Sequence, residues 1–390
     1  MKKKIVILGS TGSIGKILVN LISKDKQNFD VKFLSAKKNY KRLLNQAKLL
    51  NVKNLIITDK KSYLLLSKLN KNKRINVYND FKNIKKIIST KVDYCMSAIS
   101  GLAGLEPTYE MIRYSKTLAI ANKESIICGW NLIQKELNKN KTIYQPVDSE
   151  HFAIYELMKN INKNMLKDIY ITASGGPFLN FKPKELKNIS IKRALNHPKW
   201  KMGKKISIDS ATLMNKVFEV MEAYRLFNFS KNKIKILIHP QSYVHAIVNL
   251  KNGVSTALMH NTDMKIPILS SLETNIIDLN KFGNLIDFKL NKFNKLSFYD
   301  VDKKKFNSVN FLNKISFKCK LFDTVLISAN DELVQLYLEK KINFLDIIKN
   351  LKKIINLKQF DKYRYISPKN YTQISNLNKY VRLKTRSFCI

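Results

Sequence analysis

The chain has 390 residues, 45% hydrophobic and 10% aromatic, enough for two or three domains with real cores, which excludes a mainly disordered polymer. Its formal net charge is +42, yet of 71 basic residues only eight are Arg; the Lys excess is spread over the whole length, so it reads as a solvated basic surface rather than a nucleic-acid footprint. No run approaches the ~18 apolar residues of a membrane-spanning helix, the start MKKK leads straight into Ile5–Leu8 with no signal peptide, and four scattered cysteines (Cys95, Cys128, Cys319, Cys389) read as reduced thiols of a cytoplasmic protein.

Strands are predicted at Lys4–Leu8, Val31–Ser35, Asn54–Thr58, Val92–Ala98, Thr117–Ala121 and Thr142–Val147. Amphipathic stretches around 13–24, 40–51, 81–89 and 104–115 lie between them. That alternation implies a mostly parallel, doubly wound sheet over residues 1–150. From 151 to 285 polar clusters are interleaved with strands near 168–173, 233–238, 243–249 and 254–259, the texture of an α+β domain. Residues 286–310 are rich in Lys, Asn and Phe without a period and read as a linker. Helical spacing through 321–357 marks 311–390 as a small helical domain.

Gly9-Ser-Thr-Gly12-Ser-Ile-Gly15 follows the first strand and opens the first helix. Glycines three apart let the backbone turn tightly and approach a pyrophosphate, while the helix start supplies N–H donors and a positive dipole. The second strand ends without Asp or Glu, the residues that would hold a ribose 2′-hydroxyl; Ser35, Lys37, Lys38 and Asn39 offer donors and positive charge instead, favouring NADP over NAD.

Asp148-Ser149-Glu150 follows the last strand of that region. Two carboxylates in such a turn converge on one divalent cation, and an all-oxygen set suits Mg²⁺ or Mn²⁺ better than zinc. Alone, Asp148 reads better as the N-cap of a helix running from Glu150 to Met158. On a helix, Asn215 or Lys216, Glu219 and Glu222 share one face, and Leu213, Met214, Val217, Phe218 and Met221 the other. The polar face is either a solvated stripe or a set of ligands for a metal-bound, phosphorylated substrate. Ser174-Gly-Gly-Pro is a candidate phosphate turn. His197-Pro-Lys-Trp200-Lys-Met202-Gly203 is either a mobile flap or a surface loop around one packed Trp. The cluster from His239 to His245 lacks metal spacing and points to core or supporting roles.

Taken together, GSTGSIG, ANKES (121–125), PVDSEH (146–151), SGGPF (174–178), HPKWKMGKKISIDSAT (197–212), MNK with Glu219, IHPQS (238–242) and DMKIPI (263–268) closely resemble the 1-deoxy-D-xylulose 5-phosphate reductoisomerase family. The resemblance implies an α/β protein with an N-terminal Rossmann-like doubly wound sheet, a central α+β catalytic domain and a small C-terminal helical domain. It implies an NADPH- and divalent-metal-dependent homodimer, with Mg²⁺ or Mn²⁺ and with Co²⁺ also suited, acting on a small phosphorylated sugar. No nucleic acid or membrane is expected as a partner. Thr11, Gly12, Ser13 and Ile14 would meet the pyrophosphate, Lys37, Lys38 and Asn39 the 2′-phosphate side, and Asn122, Glu124 and Gly203 other parts of the cofactor. Asp148, Glu150 and Glu219 would bind the metal. Ser149, Ser174, His197, Trp200, Ser210, Asn215 and Lys216 would bind substrate together with Glu150, Glu219 and Lys123; Lys123, Glu150, His197 and Lys216 carry the catalytic expectation.

Three departures stand out. Val217 occupies a position where the family commonly has Gly, Lys37 replaces a small residue, and Leu326–Asp331 is an altered form of a C-terminal LNAANE-like motif. Slowed or retuned catalysis is expected, since no metal ligand is lost. A semialdehyde-type NADP dehydrogenase would explain the first domain but leaves the DSE and NK…E carboxylates without work, and an RNA-binding protein would show salt-sensitive RNA retention.

Overall fold

The computed structural model describes residues 2–70, 74–272, 290–316 and 318–390. The chain divides into two compact units, one of Met1–Ser125, Ile133–Phe152 and Met264–Asp287, the other of Ile126–Leu132, Ala153–Asp263 and Phe288–Ile390.

In the first unit β1 (Lys3–Leu8), β2 (Phe29–Ala36), β3 (Asn54–Ile57), β4 (Asn76–Tyr78), β5 (Val92–Ser97), β6 (Ser115–Ile120) and β7 (Ile143–Pro146) form one parallel sheet in the order β4-β3-β2-β1-β5-β6-β7. Between them run α1 (Ser13–Lys24), α2 (Tyr40–Leu50), α3 (Lys60–Leu69), α4 (Ile84–Ile87), α5 (Leu105–Ile112) and α6 (Lys123–Asn140). Ile5, Val6, Ile7 and Leu8 are all fully buried, as a parallel strand covered on both faces requires. Leu18, Leu21 and Ile22 of α1, Leu43 and Ala47 of α2 and the later α11 (Lys265–Ser271) close over that sheet. The strand order reverses between β1 and β5, which places the ligand crevice of an open α/β sheet beside the glycine loop.

The six expected strands are present. Three further elements, α3, β4 and α6, escaped the sequence reading. On α3 only Ser62 and Leu66 are buried while Leu64, Leu65 and Leu69 are exposed, so its apolar residues mark no face.

In the second unit β8 (Leu166–Ala173), β9 (Ile234–Ile238), β10 (Val244–Leu250), β11 (Ser255–Met259) and β12 (Tyr299–Asp300) form a mixed sheet in the order β11-β10-β8-β9-β12. Only β8 and β9 pair in parallel. The helix α7 (Ser149–Met158) leads into this unit, followed by α8 (Ile191–Leu195), α9 (Lys204–Ala211) and α10 (Met214–Phe227). Val220, Ala223 and Tyr224 of α10 pack on Ile169, Ile171, Ala246 and Val248 of the sheet. The C-terminal part is helical as expected: α12 (Leu321–Leu338), α13 (Phe344–Ile354), α14 (Lys358–Asp361) and α15 (Tyr371–Cys389).

Two expectations need correcting. The described part of the supposed linker 286–310 is built into the second unit: β12 extends the sheet beside β9, and Phe306 is buried against Ala173, Leu213 and Ile238. Aperiodic Lys and Asn hide these single anchoring contacts from a pattern reading. Leu213 is not on the apolar face of α10; it is the left-handed joint (φ +60°) between α9 and α10.

Candidate active site

In the first unit the glycine loop is held from two sides. Gly9 N donates to Ser35 Oγ (3.0 Å) and Ser10 N to the Ser35 carbonyl (2.9 Å). Gly9 has φ +76°, and a Cβ there would sit 2.7 Å from the Ala98 carbonyl oxygen. The loop after β1 is therefore pressed against the loop after β5. Gly12 is the N-cap of α1 and brings no capping side chain, so the first amides of the helix and its positive end stay open to an anion. Thr11 and Ile14 are half-buried, whereas Gly12 and Ser13 are exposed. After β2, Lys37, Lys38 and Asn39 are all exposed. Asn39 has a structural duty as well, because its side chain accepts from Arg42 N and caps α2.

Asn122 is committed to the scaffold. Its amide donates to the carbonyls of Ile99 and of Gly101 (2.7 Å) while its oxygen accepts from Ser125 N (2.9 Å). The side chain so fixes the β5 loop onto the start of α6, where Lys123 and Glu124 are buried. Lys123 Nζ lies 3.0 Å from Asp148 Oδ2, and His151 Nδ1 lies 3.2 Å from Asp148 Oδ1. Burial alone would raise the Asp148 pKa; the Lys123 ammonium and the His151 ring outweigh it and hold the carboxyl well below the usual range. Asp148 also accepts from Glu150 N (3.3 Å) at the start of α7, the cap-like contact its position before the helix suggested. Ser149 Oγ donates to Glu150 Oε2 at 2.7 Å. His151, fully buried, was missed by sequence reasoning; its place three residues after Asp148, on the same helix face, was the available signal.

The second unit gathers the other group. Ser174 Oγ lies 2.9 Å from His197 Nε2. The turn that follows has Gly175 at φ +80° and Gly176 at φ +67°, and Gly176 N donates back to Ser174 Oγ (3.1 Å). On α10, Lys216 Nζ is 2.5 Å from Glu219 Oε2, and the Asn215 amide donates to Glu219 Oε1. Lys216, Glu219 and Glu222 are all buried, which rules out the solvated stripe. Val217 is fully buried on the same helix. His197 belongs with this group: burial, then the Lys216 charge, press its pKa down to about 4.

The stretch 196–203 has no regular structure, and Gly203, the N-cap of α9, has open space about its α-carbon. Trp200 meets His245 edge to face at 6.0 Å, and His245 stacks on His260 at 3.7 Å. His239 has the supporting role its sequence suggested. Its Nε2 accepts from Tyr243 N (3.1 Å), so Nδ1 carries the proton and donates to the Ser297 carbonyl (2.9 Å). Ser210, half-buried, lies on α9 beside the buried Asp209. Lys205 Nζ bridges Asp209 (2.8 Å) and Asp331 (3.0 Å), and the Asn330 amide donates to Asp209 (2.8 Å). The altered motif at 326–331 is thus what anchors α9. The DSAT run around Asp209 was the only sequence signal for that role.

Family models describing 1-deoxy-D-xylulose 5-phosphate reductoisomerase match residues 5–129, and models of its C-terminal domains match 144–227 and 259–384. A curated reductoisomerase of Pelagibacter ubique is 51% identical over 390 residues, covering 100% of both chains. The chain belongs to the 1-deoxy-D-xylulose 5-phosphate reductoisomerase family. A solved reductoisomerase of Zymomonas mobilis in complex with NADPH superimposes with a TM-score of 0.87 at 30% identity, covering 100% of this chain and 99% of that one. Another reductoisomerase, solved with NADPH, fosmidomycin and magnesium, gives a TM-score of 0.90 at 29% identity, covering 99% and 98%. The α/β architecture with its Rossmann-like parallel sheet is that of the reductoisomerase family.

Proposed function

We propose that Asp148, Glu150 and Glu219 hold one divalent cation, Mg²⁺ or Mn²⁺, with Co²⁺ also suited. The reaction is the family's: NADPH- and metal-dependent rearrangement and reduction of 1-deoxy-D-xylulose 5-phosphate to 2-C-methyl-D-erythritol 4-phosphate, a step of the non-mevalonate route to isoprenoid precursors. The observation that carries the metal reading is the donor set itself: Asp148 and Glu150 stand two residues apart at the start of α7, and Glu219 is a third carboxylate, nearly fully buried. Lys123 lies beside Asp148 and Lys216 beside Glu219, and an all-oxygen set fits a hard divalent ion.

When bound, the cation supplies Lewis acidity to the ketone and neighbouring hydroxyl oxygens, and NADPH supplies hydride. The chain's own residues do the rest. The amides around Thr11–Ile14 receive the pyrophosphate, while Lys37, Lys38 and Asn39 receive the 2′-phosphate side, with Glu124 and Gly203 bordering the cofactor. Ser174, Ser210, Asn215 and Lys216 hold the sugar phosphate, and His197 orients Ser174. Lys123 and Ser149 face the reacting oxygens, with Lys123 and Lys216 placed to stabilise negative charge there. Trp200, seated on His245, closes with Met202 and keeps water from the reactive fragments. We place the enzyme in the cytoplasm as a homodimer, the state the resemblance implies.

The test is NADPH oxidation with 1-deoxy-D-xylulose 5-phosphate, with and without Mg²⁺ or Mn²⁺, alongside Mn²⁺ binding read by spin resonance. Glu219→Gln should abolish metal-dependent oxidation and weaken Mn²⁺ binding while NADPH still binds. Metal-independent turnover, or a Glu219→Gln protein that binds Mn²⁺ normally, would overturn the ligand set.

A further inference from the structure

The residue that joins the two ends of the cofactor cradle lies in the middle of α2, outside every motif singled out in the sequence. Gln46 is 6% exposed, and its amide grips Ser10 of the glycine loop at both ends. Its Oε1 accepts from Ser10 Oγ at 2.8 Å, and its Nε2 donates to the Ser10 carbonyl at 2.9 Å. Ser10 itself is fully buried. Seven residues earlier, the same helix is capped by Asn39, next to Lys38. Seven residues of α-helix span about 10 Å, so α2 acts as a strut with the cationic turn at one end and the glycine loop held partway along.

The clamp satisfies buried groups on both sides: a buried amide is tolerated only when both its ends are bonded, and an apolar side chain at position 46 would take this donor from the buried Ser10 carbonyl. Asn39, Arg42, Asn45 and Gln46 also line one groove along α2. The clamp ties the glycine loop to α2 and so sets their spacing.

We infer that Gln46 is a positioning residue for NADPH: by clamping Ser10 it fixes the separation between the amides that receive the pyrophosphate and the Lys38–Asn39 turn that receives the 2′-phosphate. The inference rests on the cofactor assignment proposed above. A loop free to drift from α2 would still meet a pyrophosphate, but would no longer present both anionic sites at the spacing NADPH requires. Gln46 thus sets the preference for NADPH over NADH without touching either.

Equilibrium binding of NADPH and of NADH, read by cofactor fluorescence, tests this on Gln46→Leu, Ser10→Ala and Lys38→Ala, with thermal midpoints recorded for each. Lys38→Ala should weaken NADPH about tenfold and leave NADH nearly unchanged. Gln46→Leu should also weaken NADPH about tenfold and NADH only about twofold, with a lower midpoint because two buried hydrogen bonds are lost. Ser10→Ala, which removes a single hydroxyl and serves if Gln46→Leu does not fold, should shift discrimination the same way. Its effect should add less than fully to that of Gln46→Leu. Equal weakening of both cofactors, or of neither, by the Gln46 and Ser10 variants overturns the clamp while a Lys38→Ala effect keeps the cofactor assignment. Unchanged discrimination in Lys38→Ala overturns the assignment and the clamp with it.

Discussion

His197 and Ser174, twenty-three positions apart, share a proton whose location the backbone decides. His197 Nδ1 accepts from Lys199 N (3.1 Å) and Trp200 N (2.9 Å), so the ring proton sits on Nε2 and is donated to Ser174 Oγ (2.9 Å). Ser174 Oγ accepts from Gly176 N as well (3.1 Å). With its acceptor sites used in this way, the hydroxyl offers its own proton, which suits a phosphate oxygen.

This geometry predicts a neutral imidazole. Burial and then the Lys216 charge lower the His197 pKa to about 4, against about 6.5 for an unfolded histidine. Because the folded value is the lower one, the contribution to stability is full above pH 6.5 and is lost as pH falls from about 6.5 to about 4. His197→Asn should flatten that part of the pH–stability curve. An NMR titration of the ligand-free protein should find the ring neutral at pH 6; a midpoint near 6.5 would contradict the assignment.

Gly15→Ala should damage the cofactor site through sterics alone. An added Cβ would collide with the Gly9 carbonyl and lie 2.5 Å from Ser10 Cα, both backbone atoms that cannot swing aside. Overpacking of this kind costs about 1–3 kcal/mol. NADPH affinity should fall by more than tenfold, with the second unit unaffected as judged by Trp200 fluorescence in a Trp130→Phe background. Normal NADPH binding by Gly15→Ala would show that the loop has slack the structure does not suggest.

The Rossmann-like half was legible because its signals are local. A glycine loop must follow β1, and a parallel strand such as Ile5–Leu8 must be apolar throughout. The carboxylates were legible as residues, but the buried Glu222, expected on either a wet or a ligating face, shows that α10 lost its polar stripe to packing. Pairs formed across long sequence gaps left no trace in the pattern: Gln46 with Ser10, Asn330 with Asp209, and Asn122 with Ile99 and Gly101. Each joins a polar residue of ordinary type to a partner set only by the fold.

One of those pairs anchors α9 and should report on turnover as well as stability. Asp209 is 1% exposed and is held by Lys205 and Asn330. Asp209→Ala removes a charge-assisted bond and leaves the Asn330 amide unpaired, a loss of about 2 kcal/mol by urea unfolding. Since Ser210 follows directly, KM for the sugar phosphate should rise more than KM for NADPH. Equal rises in both would mean that the helix shift is not local.

The most buried ion pair of the second unit makes an opposite prediction for its two partners together. Arg225 Nη2 meets Asp323 Oδ2 at 2.8 Å with side chains 2% and 1% exposed, and both Nη atoms donate to the Ser316 carbonyl at 3.2 Å. Among the described residues Asp323 Oδ1 has no hydrogen-bond partner, and burial outweighs Arg225 so that the carboxyl's pKa is raised. A half-satisfied buried pair is a weak source of stability. Arg225→Met alone should therefore cost about 3–5 kcal/mol, because it strands the carboxylate. With its folded pKa raised, Asp323 favours the fold most at low pH, and that contribution is lost as pH rises; the Arg225→Met defect should be smaller at pH 5 than at pH 8. Adding Asp323→Leu removes the stranded charge and should restore most of the loss. Urea unfolding of the two single variants and the double variant decides it: a double variant no more stable than Arg225→Met would show that the pair contributes net stability.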